Sequence, residues 1–332
     1  MIIKSKFKPA IGLSHFHLQT LLPTFLHKKI NTKKHFYWQE FELPDGDFVD
    51  CCWNEKPHTN DTRPVVVVFH GLEGSINSPY AQHMMLALKK HNWNAVLMHF
   101  RGCSGRGNKL ARRYHSGDTA DALFFIKYLQ QQFPNVPFAA VGYSLGGNML
   151  LKLQAELGKQ SPLEAAVSVC APIQLDNCSD RVAKGFSRVY QRHLMKRLVG
   201  NLLKKYEQHD LNALINLPEQ QAKSLKTFWQ FDDAFTGPIH GYGSAKNYYQ
   251  QCSASQYLNQ IQKPTLAIQA KDDPFMTVDV IPGESELGPG LTLEVSEYGG
   301  HVGFVAGSLF RPRYWLPERI TEYLSEYLKT KD

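Results

Sequence analysis

The sequence lacks any apolar run long enough to cross a bilayer. Its longest strongly apolar string is Val65-Val-Val-Val-Phe69, far short of the roughly 20 residues a membrane span requires. No apolar stretch of signal-peptide length follows the opening Met1-Ile-Ile-Lys-Ser-Lys-Phe-Lys-Pro, so the expected compartment is the cytoplasm. Cysteine is sparse: Cys51, Cys52, Cys103, Cys170, Cys178 and Cys252 make six in 332 residues, with no C-x-x-C. That is ordinary usage for a reduced chain and argues against a disulfide framework. Fourteen histidines show neither H-E-x-x-H nor zinc-finger spacing, so no metal centre is expected. Charge of one sign is also in short supply. Lys plus Arg is 37 and Asp plus Glu is 30, a formal charge of +7. Unless clustered on one face, that excess is no nucleic-acid footprint, and no nucleic-acid partner is expected. Internal repeats and low-complexity segments are missing as well.

What is present is a globular balance, 43% hydrophobic and 20% charged. At about 150 residues per domain the length suggests roughly two domains, although a large α/β enzyme can use this much chain around one sheet. Alternating apolar and polar residues on either side of Pro44-Asp-Gly46 predict an antiparallel hairpin from Tyr37 to Trp53. Pro64–Phe69 is β-branched and continuously apolar, as a strand buried on both faces would be. A helix is predicted over Pro79–His91, a strand over Asn94–His99, and a helix over Asp118–Gln132 with Asp118 as its cap. A strand over Pro137–Gly142, a helix over Leu145–Leu157 and a strand over Leu163–Cys170 continue the alternation, which means βαβ units and a mainly parallel sheet. The rhythm stops between about 172 and 262, a helical and basic stretch. It resumes with strands at Pro264–Gln269 and Leu291–Ser296 and a final helix from about Leu316 to Tyr327. The expected organisation is one catalytic domain, 1–171 and 263–332, with an inserted helical cap at 172–262.

The chemistry centres on Gly142-Tyr-Ser144-Leu-Gly146, a G-x-S-x-G placed where a buried strand passes into a helix. Such a junction needs a sharp turn with strained angles at the serine and small residues two before and two after it. It leaves the hydroxyl at a helix N-terminus, where N–H groups and the dipole favour developing negative charge. A serine nucleophile needs a base, and His301 in Tyr298-Gly-Gly-His-Val-Gly-Phe304 follows the last predicted strand. The order Ser…Asp…His then asks for a carboxylate after the preceding strand. Asp272 and Asp273 are both on offer. Asp273 is favoured because a small residue, two spacers and Asp-Pro is the usual loop for this acid, with Asp272 as the alternative. The acid would hold the imidazole tautomer without taking the proton. After the first long strand comes Phe69-His-Gly-Leu-Glu-Gly74. In such folds the residue following this His-Gly donates a backbone N–H to the oxyanion, which points to Leu72, with Leu145 as second donor. His70 reads as structural.

These residues together resemble the α/β-hydrolases, and more narrowly the YheT-type branch, bacterial relatives of the ABHD-type esterases. The matching stretches are His70-Gly-Leu-Glu-Gly74, Phe100-Arg-Gly-Cys-Ser-Gly105, Gly142-Tyr-Ser-Leu-Gly-Gly-Asn148, Phe231-Asp-Asp-Ala-Phe235, Asp272-Asp-Pro-Phe275 and Gly299-Gly-His-Val-Gly-Phe304, from the His17-Leu-Gln-Thr-Leu-Leu-Pro23 segment onward. The resemblance implies an α/β-hydrolase fold and a Ser–Asp–His carboxylesterase or lipase-like activity, without a cofactor, on small-molecule or lipid esters. Acyl transfer on the same triad and a non-catalytic binding role on the same fold are the alternatives. The eukaryotic members carry an N-terminal membrane anchor that this sequence lacks, so constitutive membrane attachment is not expected.

Other signals do not mature. Gly102-Cys-Ser-Gly-Arg-Gly-Asn-Lys109 misses both phosphate-loop templates. Arg101 beside it either orders the active-site rim or is solvated. Phe231-Asp-Asp-Ala-Phe235 is expected to cap a turn and anchor the insert to the sheet. The basic stretch Phe186–Lys205 reads as a lid helix with a wetted charged face. A sharper reading has its apolar side and basic rim presenting the active-site mouth to a membrane.

Overall fold

The computed structural model describes residues 1–26, 30–58, 60–308 and 310–329. Nine strands form one sheet: β1 (Ile2–Lys4), β2 (Tyr37–Glu42), β3 (Phe48–Trp53), β4 (Val65–Phe69), β5 (Asn94–Met98), β6 (Phe138–Tyr143), β7 (Ala165–Val169), β8 (Thr265–Ala270) and β9 (Leu291–Ser296). Their order is β1-β9-β8-β7-β6-β4-β5-β3-β2. Pairing is parallel from β1 to β5, and β3 joins β5 antiparallel before the β2–β3 hairpin closes the edge.

The continuous apolar strands follow from period-two geometry with both faces covered. In β4, Val66 and Val68 enter one core while Val65, Val67 and Phe69 enter the other. The first core takes Met84, Met85 and Leu88 from the helix Pro79–Lys90 and Leu316, Ile320 and Leu324 from the helix Trp315–Ser325. The second takes Phe125, Ile126 and Leu129 from the helix Thr119–Gln132 and Met149, Leu150 and Leu153 from the helix Leu145–Leu157.

Between β7 and β8 the chain forms helices, beginning with Leu175–Val182 and Ser187–Lys205 and ending with Ala245–Cys252 and the 3-10 helix Ala254–Gln260. The long helix buries Met195, Leu198 and Leu202 at three- and four-residue spacing, the stripe a helix packs on. These side chains share a core with Phe228, Phe231 and Phe235 and with Met276 and Val280 from the loop after β8.

Two local expectations need correction. Asp118 stands at the start of its helix but makes no side-chain cap bond. Its carboxylate instead accepts Arg112 Nη2 at 2.8 Å, a charge-assisted bond stronger than a cap. Arg101 is neither solvated nor among the residues lining the cavity next to Ser144. It is 1% exposed and pairs with Asp121 at 2.6 Å, Asp47 at 2.9 Å and Asp45 at 2.8 Å. It thereby ties the β2–β3 turn to the first turn of the helix Thr119–Gln132.

Candidate active site

Ser144 sits between β6 and the helix Leu145–Leu157 with φ 50° and ψ −118°, a conformation costly for any residue with a Cβ. The strain is held by close packing. A Cβ on Gly142 would lie 2.3 Å from the Gly146 carbonyl oxygen, and one on Gly146 would lie 2.6 Å from the His70 carbonyl oxygen. The Ser144 amide donates to Val169 O at 2.8 Å, fastening the turn to the neighbouring strand. Asn148, buried in the same helix, fixes it further. Its Nδ2 donates to Ser116 O at 2.9 Å and Cys252 O at 2.8 Å, and its Oδ1 accepts Ala254 N at 2.9 Å.

His301 Nε2 lies 2.9 Å from Ser144 Oγ, and His301 Nδ1 lies 2.8 Å from Asp273 Oδ2. The two aspartates diverge, as adjacent side chains do. Asp272 Oδ1 accepts the Gly300 amide at 2.9 Å, bracing the turn before the histidine, and burial pushes its carboxyl above the ordinary range. Asp273 Oδ1 also accepts the Phe275 amide at 2.8 Å, and the Phe275 ring stacks on His301 with centroids 4.0 Å apart. The Cys170 thiol lies beneath, accepting the Val302 amide at 3.3 Å. Its sulfur and donor atoms of Asp273 and His301 fall within 4.8 Å of one another. Burial raises the thiol well above its usual range, so it remains protonated and suits a hydrogen-bonded relay better than a metal ligand set.

Leu145 follows Ser144 at the start of the helix and Leu72 lines the same cavity, and among the described residues neither backbone amide donates to a protein acceptor. His70 is locked away from them. Its Nδ1 is 2.7 Å from Gly71 O, its Nε2 accepts the Phe100 amide at 3.0 Å, and burial pushes its pKa down to about 3.

Ser144, His301, Leu72 and Leu145 line a cavity of about 730 Å³. The helices between β7 and β8 roof it with Leu194, Leu198, Phe228 and Phe231, and the helix Phe16–Leu26 contributes Leu21 and Phe25. Asp232 also faces this space. Burial pushes its carboxyl up to about 6, and it accepts the Tyr249 hydroxyl at 2.7 Å. Asp233 accepts the Ala245 amide at 2.9 Å. Both contacts stay within the insert, so the acidic pair does not anchor it to the sheet by hydrogen bonds.

The helix Phe16–Leu26 was not predicted, yet it holds the histidine loop. Thr20 Oγ1 accepts the His301 amide at 2.9 Å. Buried Gln19 donates to Val305 O at 3.1 Å and accepts Val305 N at 2.7 Å. Gly300, with φ +56°, leaves no room for a side chain, since its Cβ would lie 2.5 Å from Phe16 O. The signal was the polar Gln19-Thr20 pair inside an otherwise apolar run, where buried polar groups must find partners.

The parallel sheet, the strained serine between strand and helix and the histidine after the last strand define the α/β-hydrolase class, and the chain belongs to that family: residues 64–308 match the alpha/beta hydrolase fold. Its branch is the YheT type. The chain is 50% identical over 327 residues to the protein named "Putative esterase YheT" of Escherichia coli (strain K12), covering 98% of this chain and 95% of that one. It is 26% identical to the phospholipase ABHD3 of Mus musculus over 92% of this chain and 75% of that protein. The esterase Pf2001 of Pyrococcus furiosus superposes with a TM-score of 0.58 at 17% identity, covering 92% of this chain and 97% of that one, and so shares the fold. No helix among the described residues is long and apolar enough to cross a membrane.

Proposed function

We propose that the chain is a serine hydrolase of carboxylic esters, with Ser144 as nucleophile, His301 as base and Asp273 as the acid that orients it. The observation that carries this reading is the continuous relay from Asp273 Oδ2 to His301 Nδ1 and from His301 Nε2 to Ser144 Oγ, at 2.8 and 2.9 Å. His301 takes the Ser144 proton as Oγ bonds to the ester carbonyl carbon. The amides of Leu72 and Leu145 then receive the oxyanion. Collapse breaks the ester C–O bond, His301 returns the proton to the leaving alcohol, and an acyl-serine remains. Water, losing a proton to His301, attacks that acyl group, and collapse breaks the C–Oγ bond, releasing the acid as His301 returns the proton to Ser144 Oγ.

The helical segment 172–262 acts as the cap that closes the acyl cavity. Relatives named esterase and phospholipase support small-molecule or lipid esters as substrates. The exposed basic side of the helix Ser187–Lys205 presents the mouth to an anionic membrane surface.

The test is a fluorophosphonate label together with short p-nitrophenyl esters. Wild type is expected to be labelled and to hydrolyse them, and Ser144→Ala to do neither. A protein that neither hydrolyses these esters nor takes the label at Ser144 overturns the reading. Product analysis with alcohol and thiol acceptors separates hydrolysis from acyl transfer.

A further inference from the structure

Gly71-Leu72-Glu73-Gly74 forms a tight turn closed by the Gly74 amide on Gly71 O at 2.9 Å. Glu73 occupies its third position with φ 52°, a left-handed conformation that favours glycine or asparagine over glutamate. A non-glycine residue stays there only where surrounding contacts over-determine it. Those contacts are unusually complete. The Glu73 amide donates to Tyr114 Oη at 2.7 Å, and Glu73 Oε1 accepts Tyr114 Oη at 3.1 Å and Arg113 Nη2 at 2.8 Å. Glu73 Oε2 accepts Asn201 Nδ2 at 2.6 Å. Glu73 is 2% exposed and Arg113 3%.

Burying an ion pair seldom adds net stability, although it can enforce one geometry over others. Here the geometry concerns the peptide unit one residue before Glu73, whose N–H is that of Leu72. Asn201 comes from the cap helix Ser187–Lys205, which touches the other half of the machinery as well. Ser187 Oγ donates to Pro274 O at 2.7 Å. Tyr190 stacks on Phe275 at 5.2 Å, and Phe275 on His301.

We infer that Glu73 is a positioning residue that aims the Leu72 amide at the oxyanion, and that Asn201 couples this aim to the seating of the cap helix. The inference rests on the reading of Leu72 as an oxyanion donor. Displacing the cap would release the Glu73 carboxylate from one of its partners and loosen the turn, so that a poorly seated cap lowers turnover rather than substrate binding.

The experiment compares Glu73→Ala, Glu73→Gln and Asn201→Ala in the full chain, using an aryl ester and its thionoester counterpart with C=S in place of C=O. A thiocarbonyl sulfur is a weak hydrogen-bond acceptor, so the oxo/thiono rate ratio reports on oxyanion donation. Loss of one oxyanion donor costs about 100- to 1,000-fold in kcat, and a misaimed one less. Glu73→Ala is expected to lower oxoester kcat by about 10- to 100-fold with KM within about twofold, and to lower the oxo/thiono ratio with it. Glu73→Gln, which keeps an acceptor oxygen, should recover most of the ratio. Asn201→Ala should shift the ratio in the same direction by about 3- to 10-fold. Should Glu73→Ala fail to fold, Asn201→Ala decides alone, because Asn201 is half-exposed. An unchanged ratio, or equal losses on both esters, overturns the inference and leaves the serine mechanism standing. A wild type with Ser144-dependent hydrolysis and no oxo/thiono preference overturns the Leu72 reading and the inference together.

Discussion

Thr20 Oγ1 accepts the backbone N–H of His301 at 2.9 Å, joining residues 281 apart in sequence. The same hydroxyl donates to Phe16 O at 2.9 Å, so it is oriented by its own helix before it meets the loop. Thr20→Val keeps the shape and removes the acceptor, leaving the His301 amide unsatisfied at a cost of about 1–3 kcal/mol. We expect a lower melting temperature and kcat reduced about tenfold, with KM little changed and Thr20→Ser close to wild type. Calorimetry and steady-state ester kinetics check both parts.

Asp273 and Asp272 offer a sharper contrast because they are adjacent and chemically identical. Asp273→Asn places an amide opposite His301 Nδ1, which selects the wrong imidazole tautomer, and kcat should fall by about 10⁴-fold. Asp272→Asn still offers an oxygen to the Gly300 amide, so its kcat should stay within about tenfold of wild type. Comparable losses in the two variants would remove Asp273 from its proposed role.

The two aspartates also mark where sequence reasoning reached and where it stopped. The alternation of buried strands and helices was legible because both sheet faces are covered, which turns every central strand into a continuous apolar run such as Val65–Phe69. Ser144 and His301 were legible because glycines flank them and strands precede them. β1 was not, since three residues, Ile2–Lys4, carry no periodicity. The helix Phe16–Leu26 was missed because Pro23 lies inside it and its function is tertiary. Gln19 and Thr20 are polar residues whose partners lie at 301 and 305. Likewise nothing local reveals that Glu73 meets Asn201 or that Lys205, counted among the basic face of its helix, is buried. Its ammonium donates to Asn108 O and Leu110 O at 2.6 Å, and burial pushes its pKa down to about 8.

Asp232 gives the fold a pH dependence of definite sign. Its folded-state pKa of about 6 lies above the ordinary 3.8, chiefly through burial. The folded protein therefore holds a proton through this window that the unfolded chain releases. The contribution is fully present below about 3.8 and is lost as pH rises through about 6. Asp232→Asn keeps an acceptor for the Tyr249 hydroxyl and removes the titration. Relative to wild type it should be unchanged near pH 3.5 and more stable by about 1–2 kcal/mol at pH 7.5, the carboxyl being partly wetted by the cavity. Thermal melts of both proteins from pH 3.5 to 8 measure this. A constant difference across the range would count against it.

The cavity mouth makes the membrane reading testable. Phe25 is 77% exposed and Val189 52%, and both also line the cavity, so it opens between the helices Phe16–Leu26 and Ser187–Lys205. Phe186 stands exposed at the start of the second helix. Arg188, Arg192 and Lys196 project from that helix into solvent, and its sequence from Ser187 to Lys205 contains no acid. Apolar side chains rimmed by cations suit an anionic bilayer surface, where each basic residue contributes about 1 kcal/mol within a Debye length. Wild type should sediment with phosphatidylserine-containing vesicles and release as salt screens the attraction. The triple variant Arg188→Glu, Arg192→Glu, Lys196→Glu should bind at least about 100-fold more weakly, while its hydrolysis of soluble short-chain esters stays near wild type. Equal and negligible sedimentation of both proteins would leave the charged face simply hydrated.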